Sequence, residues 1–336
     1  MKGIKFLKAG RGDSILISSK GENMVIDGGD DASFLIKELD EIKSKNECVN
    51  YLVITHHDAD HIEGVLTFLN EVKKGRYGAP KDFIKQVFFN SPKLINGLRL
   101  SKKSNYLSYK QAYEIEVLIR ELDLTCDRLL IEGANEINVG EFKLKTLSPT
   151  QEIIDNYADK TPEKYLSNGG NGDWHNSLKS LKNFIHDKSL DDSIPNKTSV
   201  VFEIEKGERK GLLTADVTPK RLEEIIDSLY IKNGGEYIKY DFFKLPHHGS
   251  NRNITKKIIE KIKCDSFLIS TDGNNNKLPN KKTFLKVINF LNRNETEINF
   301  IFNYSTVIDL LGITAEERKS HNIKLIPNNS DNGYTF

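Results

Sequence analysis

Residues 55–64 read Thr-His-His-Asp-Ala-Asp-His-Ile-Glu-Gly, and this stretch restricts what the chain can fold into more than any other. His56, Asp58, Asp60 and His61 follow the spacing His-x-Asp-x-Asp-His, so four side chains able to bind a metal fall within six residues. The preceding run, Tyr51-Leu-Val-Ile-Thr55, is apolar and β-branched and reads as a buried strand. Ile62, Val65, Leu66, Leu69 and Val72 then recur at helical spacing. Open α/β sheets place their ligand sites at such junctions, where a buried strand ends and a helix begins.

Three further strand ends carry matching groups. Leu212-Leu-Thr-Ala-Asp216 ends in a carboxylate, Phe242-Phe-Lys-Leu-Pro-His-His-Gly-Ser250 in two histidines, and Asn23–Ile26 in Asp27-Gly-Gly29. Brought to one sheet edge, His56, Asp58, Asp60, His61, Asp216, His247 and His248 are about what two divalent ions need when one carboxylate bridges them. A hydroxide held by such ions is a nucleophile at neutral pH, which points to hydrolysis. The working division gives one ion His56, Asp58 and one of His247 and His248. The other takes Asp60, His61 and the second histidine, with Asp216 as the bridge. Asp60, Asp216 and His248 are the residues expected to act at the reacting atoms, and Asp27 is expected to orient a ligand histidine. Three carboxylates beside four imidazoles make a hard donor set, open to Zn²⁺, Mn²⁺ or Fe²⁺. His57 is out of phase with its neighbours and is read as a non-ligand. His175, His186 and His321 are read as structural or exposed, Ser250 as a turn residue, and Gly10-Arg-Gly-Asp-Ser14 as a tight turn lacking the lysine of a phosphate loop.

Strand and helix patterns alternate along most of the 336 residues, which implies an α/β fold. Residues 1–315 form the expected domain, with a polar, lid-like insertion at 150–195 containing Trp174; residues 316–336 form a partly loose extension. The 49 basic and 48 acidic residues nearly balance, so net charge does not announce nucleic acid. Cys48, Cys126 and Cys264 are far apart and read as reduced thiols. No run approaches the roughly 20 apolar residues of a membrane helix, and the N-terminus lacks a cleavage signature. A cytoplasmic protein without membrane contact is the expectation.

In order, Gly-x-Gly-Asp-Ser, Ile-Asp-Gly-Gly, Thr-His-x-Asp-x-Asp-His, Leu-Leu-Thr-x-Asp and Lys-x-x-His-His-Gly-Ser resemble the metallo-β-lactamase fold. More narrowly, they resemble the corresponding domain of bacterial competence DNA-uptake channel (ComEC-like) proteins. The likeness spans roughly residues 3–295. It implies a four-layer αββα sandwich with a two-metal site at one edge of the sheets, and phosphodiesterase or nuclease activity. The general family pattern has His where Asp58 stands, and the DNA-uptake branch accepts Asp there. The separate family histidine before the bridging Asp is also missing. Asp192, Asn196 and Ser199 occupy that region, leaving a ligand slot for His247 or His248 to fill or for no group at all. Where relatives carry His-Pro, this chain has Leu278-Pro279.

Segment 73–110 carries ten Lys or Arg against one acid, Asp82, with Tyr77, Phe88, Phe89, Tyr106 and Tyr109 interleaved. Cations for phosphates and aromatics for bases suit a groove for DNA or RNA. The leading expectation is therefore a metal-dependent phosphodiesterase or nuclease. The alternatives are a hydrolase of small phosphoesters or carboxylic esters, and a non-catalytic module that binds a ligand or a protein partner.

Overall fold

The computed structural model describes residues 3–91, 107–158, 172–274, 277–292 and 296–336. The strands are β1 (Ile4–Leu7), β2 (Ile15–Ser19), β3 (Glu22–Ile26), β4 (Val49–Ile54), β5 (Ile84–Phe89), β6 (Ile137–Val139), β7 (Phe142–Ser148), β8 (Val201–Lys206), β9 (Arg209–Leu213), β10 (Ile238–Lys239), β11 (Phe242–Lys244), β12 (Ile262–Lys263), β13 (Ser266–Ile269), β14 (Ile298–Phe302), β15 (Ile323–Ile326) and β16 (Gly333–Thr335). The principal helices are α1 (Ser33–Ser44), α2 (Ala59–Lys73), α3 (Leu107–Glu121), α4 (Pro219–Lys232), α5 (Lys281–Phe290) and α6 (Thr306–Leu311). Among the described residues a six-stranded sheet runs β16-β1-β2-β3-β4-β5, and an eight-stranded sheet runs β15-β14-β13-β11-β9-β8-β7-β6. β10 and β12 form a separate parallel pair.

The core divides into three slabs, and their membership defines four layers. One slab holds strand residues from both sheets, among them Phe6, Met24, Val53 and Phe88 from the first and Phe142, Phe202, Phe242 and Ile301 from the second. A second packs Val25, Leu52, Ile54 and Phe89 against α1, α2 and α3. The third packs Leu212, Phe243, Phe267 and Phe300 against α4, α5 and α6. The order is therefore helix, sheet, sheet, helix. Side chains of a strand alternate between faces, and both faces here are covered. The unbroken apolar run at 51–54 follows from that, with Val53 facing the other sheet and Leu52 and Ile54 facing helices. Phe242 and Phe243 split in the same way.

Parallel pairing sets where the site lies. β3, β4 and β5 run in one direction, and so do β9, β11, β13 and β14. Asp27, Thr55, Ala215, His247 and Ser270 each follow the carboxyl end of one of these strands.

Three expectations change. Residues 316–336 are not a loose extension, because β15 pairs with β14 and β16 pairs with β1, so each sheet ends in a C-terminal strand. Phe336 also stacks on Phe242 with ring centroids 4.7 Å apart. The described end of the supposed lid is docked on the outer helical layer. Asp173 accepts from the backbone N–H groups of Lys281 and Lys282 at 2.8 and 3.0 Å, and Leu178 and Leu181 join the α5 core slab. The Trp174 indole donates to the Pro279 carbonyl at 2.7 Å. In the basic segment, Tyr77, Phe88 and Phe89 are buried. Lys73 pairs with Glu121 (2.8 Å), Lys74 with Glu71 (2.7 Å), Arg76 with Asp40 (2.7 Å) and Lys81 with Asp123. Residues 92–106 and the Tyr109 side chain lie outside the described residues. No described helix is long and apolar enough to cross a membrane.

Candidate metal centre

The backbone around β3 and α2 fixes the first half of the site. Gly28 and Gly64 meet without side chains. A Cβ on Gly64 would lie 2.0 Å from the Gly28 carbonyl oxygen, and one on Gly28 would lie 2.3 Å from the Val65 nitrogen. Two hydrogen bonds seal the contact, Gly28 N–H to the His61 carbonyl and Gly64 N–H to the Gly29 carbonyl, both 2.8 Å. The first turn of α2 is thereby pressed onto the end of β3, which sets His61 beside Asp27. Asp58 occupies the N-cap position but makes no side-chain cap bond.

Asp27 holds His61 directly and His56 through Thr55. His61 Nδ1–H donates to Asp27 Oδ2 at 2.8 Å. The Thr55 amide donates to Oδ1 at 2.8 Å and the Thr55 hydroxyl to Oδ2 at 2.6 Å. That hydroxyl oxygen in turn accepts from His56 Nδ1–H at 3.0 Å. On the opposite sheet, His248 Nδ1–H donates to the Ser270 carbonyl at 2.9 Å. Each of the three rings commits its Nδ1–H to the protein, which turns Nε2 inward. His56 Nε2, His61 Nε2, His248 Nε2 and Asp216 Oδ1 are all buried without a hydrogen-bond partner. Leaving one such atom unsatisfied costs about 1–3 kcal/mol. Four of them facing one another are satisfied together by a cation, so the residues fit divalent ions.

The distances rank two groups of donors. His61 Nε2 is 3.3 Å from Asp216 Oδ1, and His248 Nε2 is 3.4 Å from Asp60 Oδ2 and 3.5 Å from Asp216 Oδ2. Asp60, His61, Asp216 and His248 thus form one closed set. On its open side, His56 Nε2 lies 3.8 Å from Asp58 Oδ2 and His247 Nε2 lies 3.8 Å from Asp216 Oδ2. Asp58 and His247 are 33% and 29% exposed, whereas His61, Asp216 and His248 are at most 2% exposed. The division expected from sequence assigned His56 and His61 to different ions. Their rings are 4.2 Å apart, so His61 lies between the two groups, within reach of Asp60 and His248 and also of His56 and Asp216. Asp216 reaches both groups.

In the segment before Asp216 the inward-facing residue is the neighbour of the one named from sequence. Asp192 points to solvent, 79% exposed and paired with Lys197. Asp191 is the residue that turns inward, accepting from Asn196 Nδ2 at 2.7 Å and Asn253 Nδ2 at 2.9 Å. Asn196 is buried and lies 3.2 Å from His247 Nδ1, so it borders that histidine. His57 is buried outside the cluster, and burial pushes it down to about 4. Asp13 is the residue the sequence reading passed over. Its Oδ1 is buried and unpartnered, and Asp13, Asp216 and His248 could also share an ion.

Electrostatics and backbone agree with this arrangement. Burial opposes charge on His61 and His248, yet Asp216 foremost among the neighbouring carboxylates holds both well above the ordinary imidazole value. Asp216 is buried too, and the three facing histidines hold it well below the usual carboxylate range. Asp58 goes the other way, pushed up to about 7 by burial and by Asp60 and Asp216. Asp27, Ala215, His247 and His248 have φ of 58°, 43°, 48° and 55°, left-handed conformations that non-glycine residues adopt at a cost of about 1–3 kcal/mol each. All four sit at the centre, where strained backbone aims the donors.

The sequence profile of the Metallo-beta-lactamase superfamily matches residues 7–85, which run from β1 through α2 into β5. No curated relative matches the chain in sequence. Among solved structures it is similar to the metallo-beta-lactamase fold protein YhfI from Bacillus subtilis (10% identity, 99% of this chain and 98% of that one, TM-score 0.43). It is similar also to Zn(2+)-bound PqqB from Methylobacterium extorquens (10%, 96% and 86%, TM-score 0.42). A third similar structure is CmlA, a diiron beta-hydroxylase from Streptomyces venezuelae (12%, 97% and 53%, TM-score 0.39). The mixed α/β architecture and the profile match over residues 7–85 give the chain the metallo-β-lactamase fold.

Proposed function

We propose that this chain is a metal-dependent phosphodiesterase, with nucleic acid as its preferred substrate class. The observation that carries the hydrolytic reading is the set of inward-facing atoms, His56 Nε2, His61 Nε2, His248 Nε2 and Asp216 Oδ1, buried and without hydrogen-bond partners at the carboxyl ends of strands in the two sheets. Asp60, His61, Asp216 and His248 would hold one ion, and His56, Asp58 and His247 with the shared Asp216 would hold another. Divalent ions there activate water at neutral pH and neutralise charge that builds on the substrate. Asp27 and Thr55 keep His56 and His61 in the tautomer that presents Nε2, and Ser270 does the same for His248. The part-exposed Asp58 and His247 mark the side from which substrate enters.

Support for a phosphodiester comes from topology and charge. β5 runs parallel to β4, with Phe89 beside Ile54, so the chain leaves β5 at the same edge as the centre. Lys93, Arg99, Lys102 and Lys103 belong to the sequence that follows, outside the described residues, and count here by their charge alone. The resemblance to DNA-uptake channel domains points to the same substrate class. The first half of the basic segment does not contribute. α2 is 15 residues long, so Lys73–Arg76 lie about 20 Å from its first turn.

The test is a panel of single- and double-stranded DNA and RNA, bis-p-nitrophenyl phosphate and p-nitrophenyl acetate, each with Mn²⁺ or Zn²⁺. Metal-dependent cleavage of the phosphodiesters, lost in Asp216→Ala and His61→Ala proteins that remain folded by circular dichroism, is expected. Turnover of the carboxylic ester alone would move the function to the small-ester reading.

A further inference from the structure

We infer that Asp13, backed by Lys244, is a positioning residue of the metal centre that acts through His248. The turn between β1 and β2 approaches α2 closely, and a Cβ on Gly12 would fall 1.5 Å from the Asp60 carbonyl oxygen. That approach carries Asp13 into the interior, where its side chain is 2% exposed. Asp13 Oδ2 accepts from Lys244 Nζ at 2.7 Å. Lys244 is fully buried at the end of β11, four residues before His248. Asp13 Oδ1 has no hydrogen-bond partner and lies 3.5 Å from His248 Nδ1, whereas Asp60 and Asp216 face His248 Nε2. Ser270 and Asp13 therefore both face the His248 Nδ1–H.

An ion pair that only fastened the β1–β2 turn to β11 would have no reason to leave a carboxylate oxygen bare against a ligand histidine. A buried pair is a poor source of stability in any case, because desolvation offsets attraction. A carboxylate behind a metal-binding histidine fixes ring orientation and tautomer and strengthens the donor on the far nitrogen. Lys244 has a different effect. It keeps Asp13 charged in the interior and cancels part of the negative charge that Asp13 adds to the centre.

This inference rests on the metal-centre reading, and the experiment separates the two. Metal-free wild type, Asp13→Asn, Lys244→Met and the double variant are titrated with Mn²⁺ by calorimetry and melted with and without the ion. Asp13→Asn is expected to bind about 10- to 100-fold more weakly. Lys244→Met leaves an uncompensated carboxylate near the ion, so it binds at least as tightly as wild type and its Tm rises more on adding Mn²⁺. The double variant binds like Asp13→Asn and has no lone buried charge to unfold it. Wild-type affinity in Asp13→Asn or in the double variant overturns the inference. Equal weakening in the two single variants overturns it too, since that is what a purely structural pair gives. A wild type that binds no ion overturns the metal centre itself. A wild type that binds ions but cleaves no phosphodiester counts against the proposed substrate alone.

Discussion

At the residue scale, three histidines with their Nδ1 protons committed to the protein make the centre a proton-linked binder of metal. His61 and His248 are held above the ordinary imidazole value of 6.5, so protons occupy them in the metal-free protein. An ion must displace those protons. Metal affinity is therefore expected to rise with pH and to keep rising above pH 6.5, and calorimetry in buffers of different ionisation enthalpy should register proton release. The metal-free protein follows the opposite trend. Raised imidazoles contribute stability below their unfolded value that is lost as pH rises through the folded one, while the depressed Asp60 and Asp216 lose theirs as pH falls below the usual carboxylate range. Metal-free Tm should be highest between the two ranges and fall above pH 6.5, with added ion removing that fall; a metal-free Tm that instead climbs from pH 6 to 8 contradicts the assignment. Asp27→Asn puts an amide where three donors now point, and about 10- to 100-fold weaker metal binding is expected by calorimetry. The donors themselves were legible, because their order and spacing are local facts of sequence. Asp13 and Asp191 were not. Asp13 sits in a glycine turn whose inward path depends on contact with Asp60, and the inward choice of Asp191 over Asp192 depends on Asn196 and Asn253, neither visible from local pattern.

At the element scale, the glycine contact between the end of β3 and α2 determines how close Asp27 and His61 can be. Gly64→Ala forces the helix outward or deforms its first turn, and overpacking of this kind costs about 1–3 kcal/mol. A lower denaturant midpoint together with weaker metal binding is expected. A lower midpoint with unchanged affinity would separate helix seating from the centre. Strands 51–54, 242–244 and 298–302 were readable because apolar residues stand on both of their faces. β5 was not, since Ile84-Lys-Gln-Val-Phe-Phe mixes exposed Lys85 with buried Phe88 and Phe89 and looked like part of a basic, aromatic surface. Composition does not reveal which way an aromatic points, and here the strand sends both rings into separate core slabs.

For the molecule as a whole, two sheets face each other, and the last residues close an edge of each. Removing residues 323–336 strips β15 from β14 and β16 from β1, exposing unpaired edges that favour aggregation. Such a truncation should show reduced soluble yield and early-eluting material on size exclusion, whereas a monomer of unchanged Tm would show that the C-terminal strands are dispensable. The four-layer order could be anticipated from motif resemblance, but the closing strands could not, because pairing between residues 5 and 335 leaves no trace in local periodicity. The carboxyl ends of strands from both sheets lead into the donors, and the central claim is that these donors bind ions used in hydrolysis. Its most direct test is to load chelator-stripped protein with Mn²⁺ or Zn²⁺, count bound ions by mass spectrometry, and follow bis-p-nitrophenyl phosphate cleavage in the same samples. One or two ions per chain, with cleavage rising as they load and absent in Asp216→Ala, is the expected result; a folded wild type that retains no ion, or cleavage unaffected by stripping, would contradict the account.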